Sequence, residues 1–564
     1  MPRGAYKLLF VVALGALLAL PATASAHATL EASSPQRGAT VKEQPSVVVL
    51  RFSEPVEGNF GAVRVYDAGG EQVDEGDAFH PNGEGAQLAV RLEPDLPDGS
   101  YTATYRVVSA DGHIVSGGYV FSIGKAGRAP EATVAELVAD RGADSVAEVG
   151  LGVARAVQYA ALAVALGALA FLLLVWRGSS RAFDRRLRAV LLWAALAGVA
   201  SAAAGVVFHA AEAAGVSASS ALDATILREE LGTRFGTVWA LTAVAWILIG
   251  FGAWAVRGAP RTWQALALLV PLGFVVLEPA LSGHPSTQSP VALLFSANVL
   301  HVLAVSVWLG GLAALLFILP SATRELQPPE RSHLLAASLV RFSPIALLCV
   351  GVILLTGIGQ AYAYVRDLDN LLDTAYGRAV LVKFVLLVGL IVPLAAYNRR
   401  RSVPRLERIA AGGESPGRAG LLLRRALRGE VTLLVVVLGV TAALAGYAPA
   451  TAVQAGPFSG SASLGPAELE VTVDPARIGS NQVHLYLFDA RSGAQFSRIK
   501  ELQVTATEPE KRIGPLPLDA QRAGPGHYTV QGALLGVAGD WRLEVAMRVS
   551  AFDEYAAELE VPIR

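Results

Sequence analysis

Eight apolar runs between residues 153 and 448 set the frame into which the rest of the chain must fit. They lie near 153–176, 189–210, 236–257, 263–282, 292–319, 340–364, 379–397 and 430–448. Each is about as long as a helix must be to cross a bilayer. Inside hydrocarbon a backbone N–H or C=O finds no water, so a spanning segment satisfies its own polar groups as a helix. The middle of the protein is therefore expected to be an all-α bundle of eight transmembrane helices. Pro271, Pro279, Pro344 and Pro393 fall inside these runs, where kinks are tolerated. The 53% of hydrophobic residues exceeds the ~45–50% usual for soluble domains, and the excess sits in this region.

Arginine placement orients the bundle. Arg177, Arg181, Arg185, Arg186 and Arg188 follow the first run, Arg257 and Arg261 the third, and Arg324 and Arg331 the fifth. Nine arginines from Arg399 to Arg428 follow the seventh. The alternate loops are poor in Arg or carry acids such as Glu229, Glu230, Asp367, Asp369 and Asp373. Positive loops stay in the cytoplasm. The expected location is thus the cytoplasmic membrane, multi-pass, with both chain ends extracytoplasmic. A net charge of −1 and no basic stripe give no reason to expect nucleic acid. The single cysteine, Cys349, lies in an apolar run, so the exported parts hold together without disulfides.

The flanks read as β structure. Residues 47–52, 62–66, 87–92, 101–107 and 118–123 are short, β-branched and alternating, with Gly, Pro and Asp between them. They predict an N-terminal all-β sandwich. Residues 468–473, 482–488, 527–530 and 541–547 alternate in the same way and predict a second all-β sandwich. The expected division is 1–26 signal peptide, 27–124 first sandwich, 125–152 linker, 153–448 helical bundle and 449–564 second sandwich.

The chemistry starts at His27. A basic start (Arg3, Lys7) and an apolar stretch lead to Ala24-Ser25-Ala26, a small-residue cleavage pattern that makes His27 the new N-terminus. Ala22-Thr23-Ala24 and Ala26-His27-Ala28 fit the pattern too. A free α-amine has a pKa of ~7.7–8.0, low enough for a metal to displace its proton at neutral pH. Amine and imidazole then chelate one ion. Asp111-Gly112-His113 offers a carboxylate and a second imidazole two residues apart, on one side of a near-extended backbone. Such a planar N/N/N/O set suits Cu(II). By itself Asp-Gly is also a common turn.

The order and spacing of His27-Ala28-Thr29-Leu30, Ser34-Pro35, Gly38-Ala39, Leu50-Arg51-Phe52-Ser53-Glu54-Pro55-Val56 and Tyr105-Arg106-Val107-Val108-Ser109-Ala110-Asp111-Gly112-His113 resemble the CopC family of extracytoplasmic β-sandwich copper carriers. The resemblance implies that His27, Asp111 and His113 hold Cu(II). The methionine-rich Cu(I) site of that family has no counterpart, because the only methionines are Met1 and Met547. The bundle resembles CopD through His301-Val302-Leu303-Ala304-Val305-Ser306-Val307-Trp308-Leu309-Gly310-Gly311, Tyr376-Gly377-Arg378, Leu381-Val382-Lys383-Phe384 and Asn398-Arg399-Arg400-Arg401. The C-terminal part resembles YtkA-like domains through residues 481–486 and 524–528. Together these imply a CopC–CopD fusion of the copper-uptake type.

Ionisable residues within a bundle are functional candidates. His209 ends the second run, with Glu212 three residues on and able to share its helix face. Glu278 and His284 lie near the outer end of the fourth run, and His301 is well inside the fifth. These form a candidate copper path. His484 and His527 read as ordinary surface or strand residues. No P-loop, C-x-x-C or D-K-T-G motif occurs, which argues against an ATP-driven pump, and no enzyme is expected. The expected partners are the copper ion and the lipid bilayer; no partner protein is identifiable. Histidines in a bundle also ligate haem, so a b-type haem protein is the alternative, and a copper sensor or chaperone without transport is another. Haem would need paired histidines at matching depth, and only His301 is deep.

Overall fold

The computed structural model describes residues 28–563 apart from 38, 125–144, 257–261, 324–325, 367, 448–457, 475, 477 and 493. The expected signal peptide, His27 and most of the expected linker lie outside the described residues. The chain divides into two compact units, one helical and one built from both flanking β regions.

In the β unit, the N-terminal region forms β1 (Leu30–Ser34), β2 (Thr40–Val41), β3 (Val47–Phe52), β4 (Val56–Glu57), β5 (Val63–Tyr66), β6 (Gln87–Arg91), β7 (Gly99–Ser109) and β8 (Ile114–Ile123). One sheet has the order β1-β3-β6; the other has β2-β8-β7-β4, with β5 also on β7. Val48, Leu50, Phe52, Leu88, Val90, Tyr101, Ala103 and Phe121 fill the space between the sheets. The expected strands are present, but β8 starts at Ile114 instead of residue 118. Asp111 and His113 therefore sit in a tight β7–β8 turn and not in a longer loop.

The C-terminal region is likewise all-β. It comprises β9 (Phe458–Leu464), β10 (Ala467–Asp474), β11 (Gly479–Asp489), β12 (Glu501–Glu508), β13 (Ile513–Leu518), β14 (Ala520–Gly524), β15 (His527–Leu535), β16 (Gly539–Arg548) and β17 (Glu554–Ile563). A five-stranded sheet β14-β15-β11-β10-β9 packs on a four-stranded sheet β13-β12-β16-β17. The alternation had shown only β10, β11, β15 and β16. In β12 and β17 the inward positions include Ala506 and Ala557, whose small side chains blur the pattern.

The helical unit has eight helices long and apolar enough to cross a membrane: α1 (Ser145–Leu174), α2 (Arg181–Ala214), α3 (Arg234–Ala255), α4 (Thr262–Leu281), α5 (Val291–Thr323), α6 (Pro328–Val365), α7 (Ala375–Ala411) and α8 (Gly417–Leu444). The protein is a multi-pass membrane protein. α6 and α8 start about three turns earlier than expected, about one turn being 3.6 residues. The helix of α6 begins at Pro328-Pro329, where a missing N–H costs nothing, and continues as helix into the apolar run.

Small residues set the helix crossings, as they do where lipid supplies no hydrophobic drive. A Cβ on Gly167 of α1 would stand 2.3 Å from Gly310 Cα of α5, and one on Gly310 would stand 1.9 Å from Ala163 O. Trp246 and Trp239 of α3 cover Gly198 and Gly205 of α2 in the same way. A polar knot ties α1, α2 and α3 together: Ser201 Oγ (2.7 Å) and Trp246 Nε1 (3.1 Å) both donate to Gln158 Oε1.

Candidate metal-binding sites

Gly112 has φ +81°, a left-handed conformation that favours glycine, so the chain reverses at this point. Gly112 N–H donates to Ser109 O and Ser109 N–H to His113 O, both at 2.8 Å. This turn, and not an extended backbone, brings the two side chains together. Asp111 is only 1% exposed. Its Oδ1 accepts from the Ser109 hydroxyl and, at 3.2 Å, from His113 N–H. His113 Nδ1 lies 3.2 Å from the same oxygen. That spacing serves a shared proton, and it is also one that two ligands of a single ion can have, given metal–N and metal–O bonds of ~2.0–2.2 Å.

Residue 28 arrives at the same place. Ala28 is buried, and its N–H donates to the Glu54 carboxylate. Thr29 is fixed against Ser53 by a backbone N–H to Ser53 Oγ bond of 3.0 Å and a return bond of 2.9 Å. Ala110 N–H reaches Pro55 O at 3.1 Å, which joins the Glu54-Pro55 corner to the turn. Burial pushes the Glu54 carboxyl up to about 8, and the nearby Asp111 charge adds to the shift. Its Oε1 is buried without a hydrogen-bond partner among the described residues. In the sequence Glu54 is one residue of a motif; in the fold it is a buried acid near the Asp111 charge. Two carboxyls near each other, one of them beside an imidazole, form a set of groups that favours a cation.

This predicts a pH effect in metal-free protein. The folded Glu54 holds its proton to about pH 8, whereas its ordinary value is 4.5. The folded state therefore binds the extra proton, and stability present at low pH is lost as pH rises through that window. Protease cutting within residues 28–124 is expected to speed up between about pH 5 and 8. Glu54→Gln should flatten the profile, and an unaltered slope in that variant would assign the effect elsewhere.

In the helical unit each candidate has polar or aromatic neighbours of its own. His209 is 1% exposed; its Nδ1 lies 2.9 Å from Glu230 Oε1, and its ring stacks on Phe235 at 3.8 Å. That carboxylate comes from the short helix Ala224–Gly232. The sequence had shown Glu230 only as a loop acid. Glu278 is buried; Oε1 accepts from Ser282 Oγ at 3.0 Å, while Oε2 has no hydrogen-bond partner among the described residues. Arg155 of α1 is its opposing charge. His284 is buried, with its ring 5.9 Å from that of Tyr364. His301 is half-buried, and its Nδ1 lies 2.8 Å from Thr356 Oγ1 of α6. A further buried pair went unseen in the sequence: Asn398 Nδ2 donates to Glu430 Oε1 at 2.5 Å, joining α7 to α8. Its partners are 32 residues apart.

Comparison with known proteins covers most of the chain. Residues 30–124 match the CopC domain, 146–292 the copper resistance protein D-like N-terminal domain, and 336–444 copper resistance protein D. The copper transport protein CutJ of Bacillus subtilis (strain 168) is 32% identical over 402 residues, which are 70% of this chain and 72% of that protein. Copper resistance protein D of Pseudomonas syringae pv. tomato is 29% identical over 223 residues, 38% of this chain and 69% of its own. The crystal structure of CopC from Methylosinus trichosporium OB3b is 33% identical, covers 19% of this chain and 98% of that one, and has a TM-score of 0.16. The matched families are copper-binding and copper-transport proteins, not enzymes.

Proposed function

The chain belongs to the family that joins CopC and CopD domains in one copper-transport polypeptide, and we propose that it imports copper across the cytoplasmic membrane. The CopC-like domain captures Cu(II) outside the cell, and the helical unit passes copper inward. The observation that carries this reading is the chain of contacts in which Glu54 takes the Ala28 N–H and lies near the Asp111 charge, while Asp111 Oδ1 lies 3.2 Å from His113 Nδ1. His27 precedes Ala28 in the sequence, and cleavage before it would supply an amine and an imidazole as two further nitrogen ligands. His27, Asp111 and His113 are then the Cu(II) ligands, in an N/N/N/O set that suits that ion.

Within the membrane the cargo needs successive ligands, because a bare charge in the bilayer core costs several kcal/mol or more. His209, Glu212, Glu278, His284 and His301 are the proposed stations. Arginine placement supports a topology with both β regions extracytoplasmic and residues 398–429 cytoplasmic.

Two measurements test this. Cells carrying the gene should contain more copper than cells lacking it when copper is scarce; equal content at matched growth would sink import. Protease added to intact, wall-stripped cells should remove both β regions. Protection of residues 458–563 would overturn the topology.

A further inference from the structure

The outward face of a sandwich sheet is ordinarily a polar surface given to water. On the five-stranded C-terminal sheet it carries a cluster of rings instead. Val483, Leu485 and Leu487 of β11 point into the core, so Gln482, His484 and Tyr486 lie on the opposite face. β15 pairs antiparallel with β11, setting His527 opposite Tyr486 and Thr529 opposite His484. His484 Nδ1 and His527 Nε2 are 3.1 Å apart. The ring planes are only 13° apart and the centroids 5.4 Å, so the two nitrogens lie between the rings and face each other. Tyr486 lies parallel against His527 at 4.4 Å. A cavity of about 650 Å³ opens on His484, Tyr486, His527 and Thr529. Burial, and then the neighbouring His484, hold His527 down to about 4, so its imidazole is neutral at physiological pH.

Two facing imidazole nitrogens share either one proton or one cation. Neutral imidazole is also the form that binds metal. Bonds of ~2.0–2.1 Å to one ion place two such nitrogens roughly 3–4 Å apart, so the observed contact needs less than ~1 Å of adjustment. The two residues stand on adjacent hydrogen-bonded strands, a rigid platform for a site.

We propose that His484 and His527 form a second metal site, which holds a copper ion between His484 Nδ1 and His527 Nε2 on the cavity face of the C-terminal sandwich. No thiol or thioether competes there, since Met547 is buried in the core on the other side of the sheet. Imidazole donors alone suit Cu(II) and also Zn(II). The choice of copper rests on the transport reading; the existence of the site does not.

The test uses the full-length protein in detergent with Cu(II) as probe. In a His113→Ala background, which disables the outer site, equilibrium dialysis should still find one copper per chain more than in the same background with His484→Phe and His527→Phe added, so that any copper held in the helical unit cancels. His527→Phe, which keeps a stacked ring, should remove that copper or weaken it at least ~100-fold, more than the loss of an outer-shell partner. An unchanged stoichiometry with a folded β unit would overturn the proposal, as would zinc binding without copper binding. If His527→Phe fails to fold, the His113→Ala protein decides the matter. One equivalent of Cu(II) should protect His527 from diethyl pyrocarbonate, read by mass spectrometry, and unchanged labelling overturns the site. None of these readouts involves transport, so a negative result leaves the import reading standing, and a failure of import leaves this site standing.

Discussion

One alanine inserted ahead of His27 in the mature protein is expected to weaken Cu(II) binding at the outer site by at least ~100-fold, since even loss of an outer-shell partner typically costs 10–100-fold. The extension converts the amine into an amide. The primary amine then belongs to the added alanine, so the chelate ring that the His27 amine forms with its own imidazole is lost, and any ring rebuilt through the new amide no longer leaves the same positions for Asp111 and His113. Asp111 and His113 stay in place, because their turn is held by Ser109, Gly112 and His113 backbone bonds that the extension does not touch. Circular dichroism should therefore report an unchanged fold while competitive titration with a Cu(II) chelator reports the loss. Full affinity in the extended protein would mean that the N-terminus is not a ligand. Asp111→Ala is a less clean test. Asp111 is buried and accepts from the Ser109 hydroxyl and the His113 N–H within its own turn, so truncation also costs ~1–3 kcal/mol of turn stability by leaving donors unmet. Asp111→Asn keeps an acceptor for the turn and removes the charge, and it separates the two effects.

What the sequence made legible was whatever is local. The eight spans were legible because hydrocarbon admits one kind of segment, and their polar extensions were not, because a helix outside the bilayer leaves no apolar run. The proposed outer ligands stand out in the sequence because the small-residue pattern before His27 and the Asp111-Gly112-His113 tripeptide are contiguous features. How that tripeptide folds was not, since it depends on Gly112 taking a positive φ. Glu54 stands within a sequence motif, yet its chemistry comes from burial and the nearby charge of Asp111, 57 residues away in another turn. The same holds for Glu230, 21 residues from His209, and for His484 and His527, 43 apart. Side-chain pairs of that separation are made by register, and alternation alone does not fix which residue of one strand opposes which of another. Gly310 shows the converse. Its place beside Trp308 carried a family resemblance, and the structure supplies the reason: the α1 backbone passes where a side chain would be.

Replacing His301 by alanine is expected to bring copper accumulation down to the level of cells without the gene, while Cu(II) binding at the outer site is unchanged. His301 lies ten residues into α5, ~15 Å along the helix at 1.5 Å per residue, where water cannot readily stand in for a lost ligand. Its neighbour fixes its protonation. Thr356 has one hydroxyl proton, and that oxygen lies 2.7 Å from Val352 O, an acceptor within its own helix. The hydroxyl donates there and so accepts from His301 Nδ1–H at 2.8 Å. The ring is thereby held as the Nδ1–H tautomer with its Nε2 lone pair available to a metal, the arrangement that second-shell partners of ligating histidines commonly impose. A merely structural histidine would need the same hydrogen bond but not the lone pair. Thr356→Val separates the two roles. It should lower accumulation part of the way, roughly 10–100-fold in metal affinity at that station, because the ring is freed to turn and change tautomer. His301→Asn keeps a donor for Thr356 and loses the Nε2 lone pair, so it should fail as fully as alanine. His284→Ala and His209→Ala should have smaller effects, since water partly replaces a ligand near the interface. If His301→Asn accumulates copper like the wild type at matched expression, the histidine serves packing alone and the path runs through other groups.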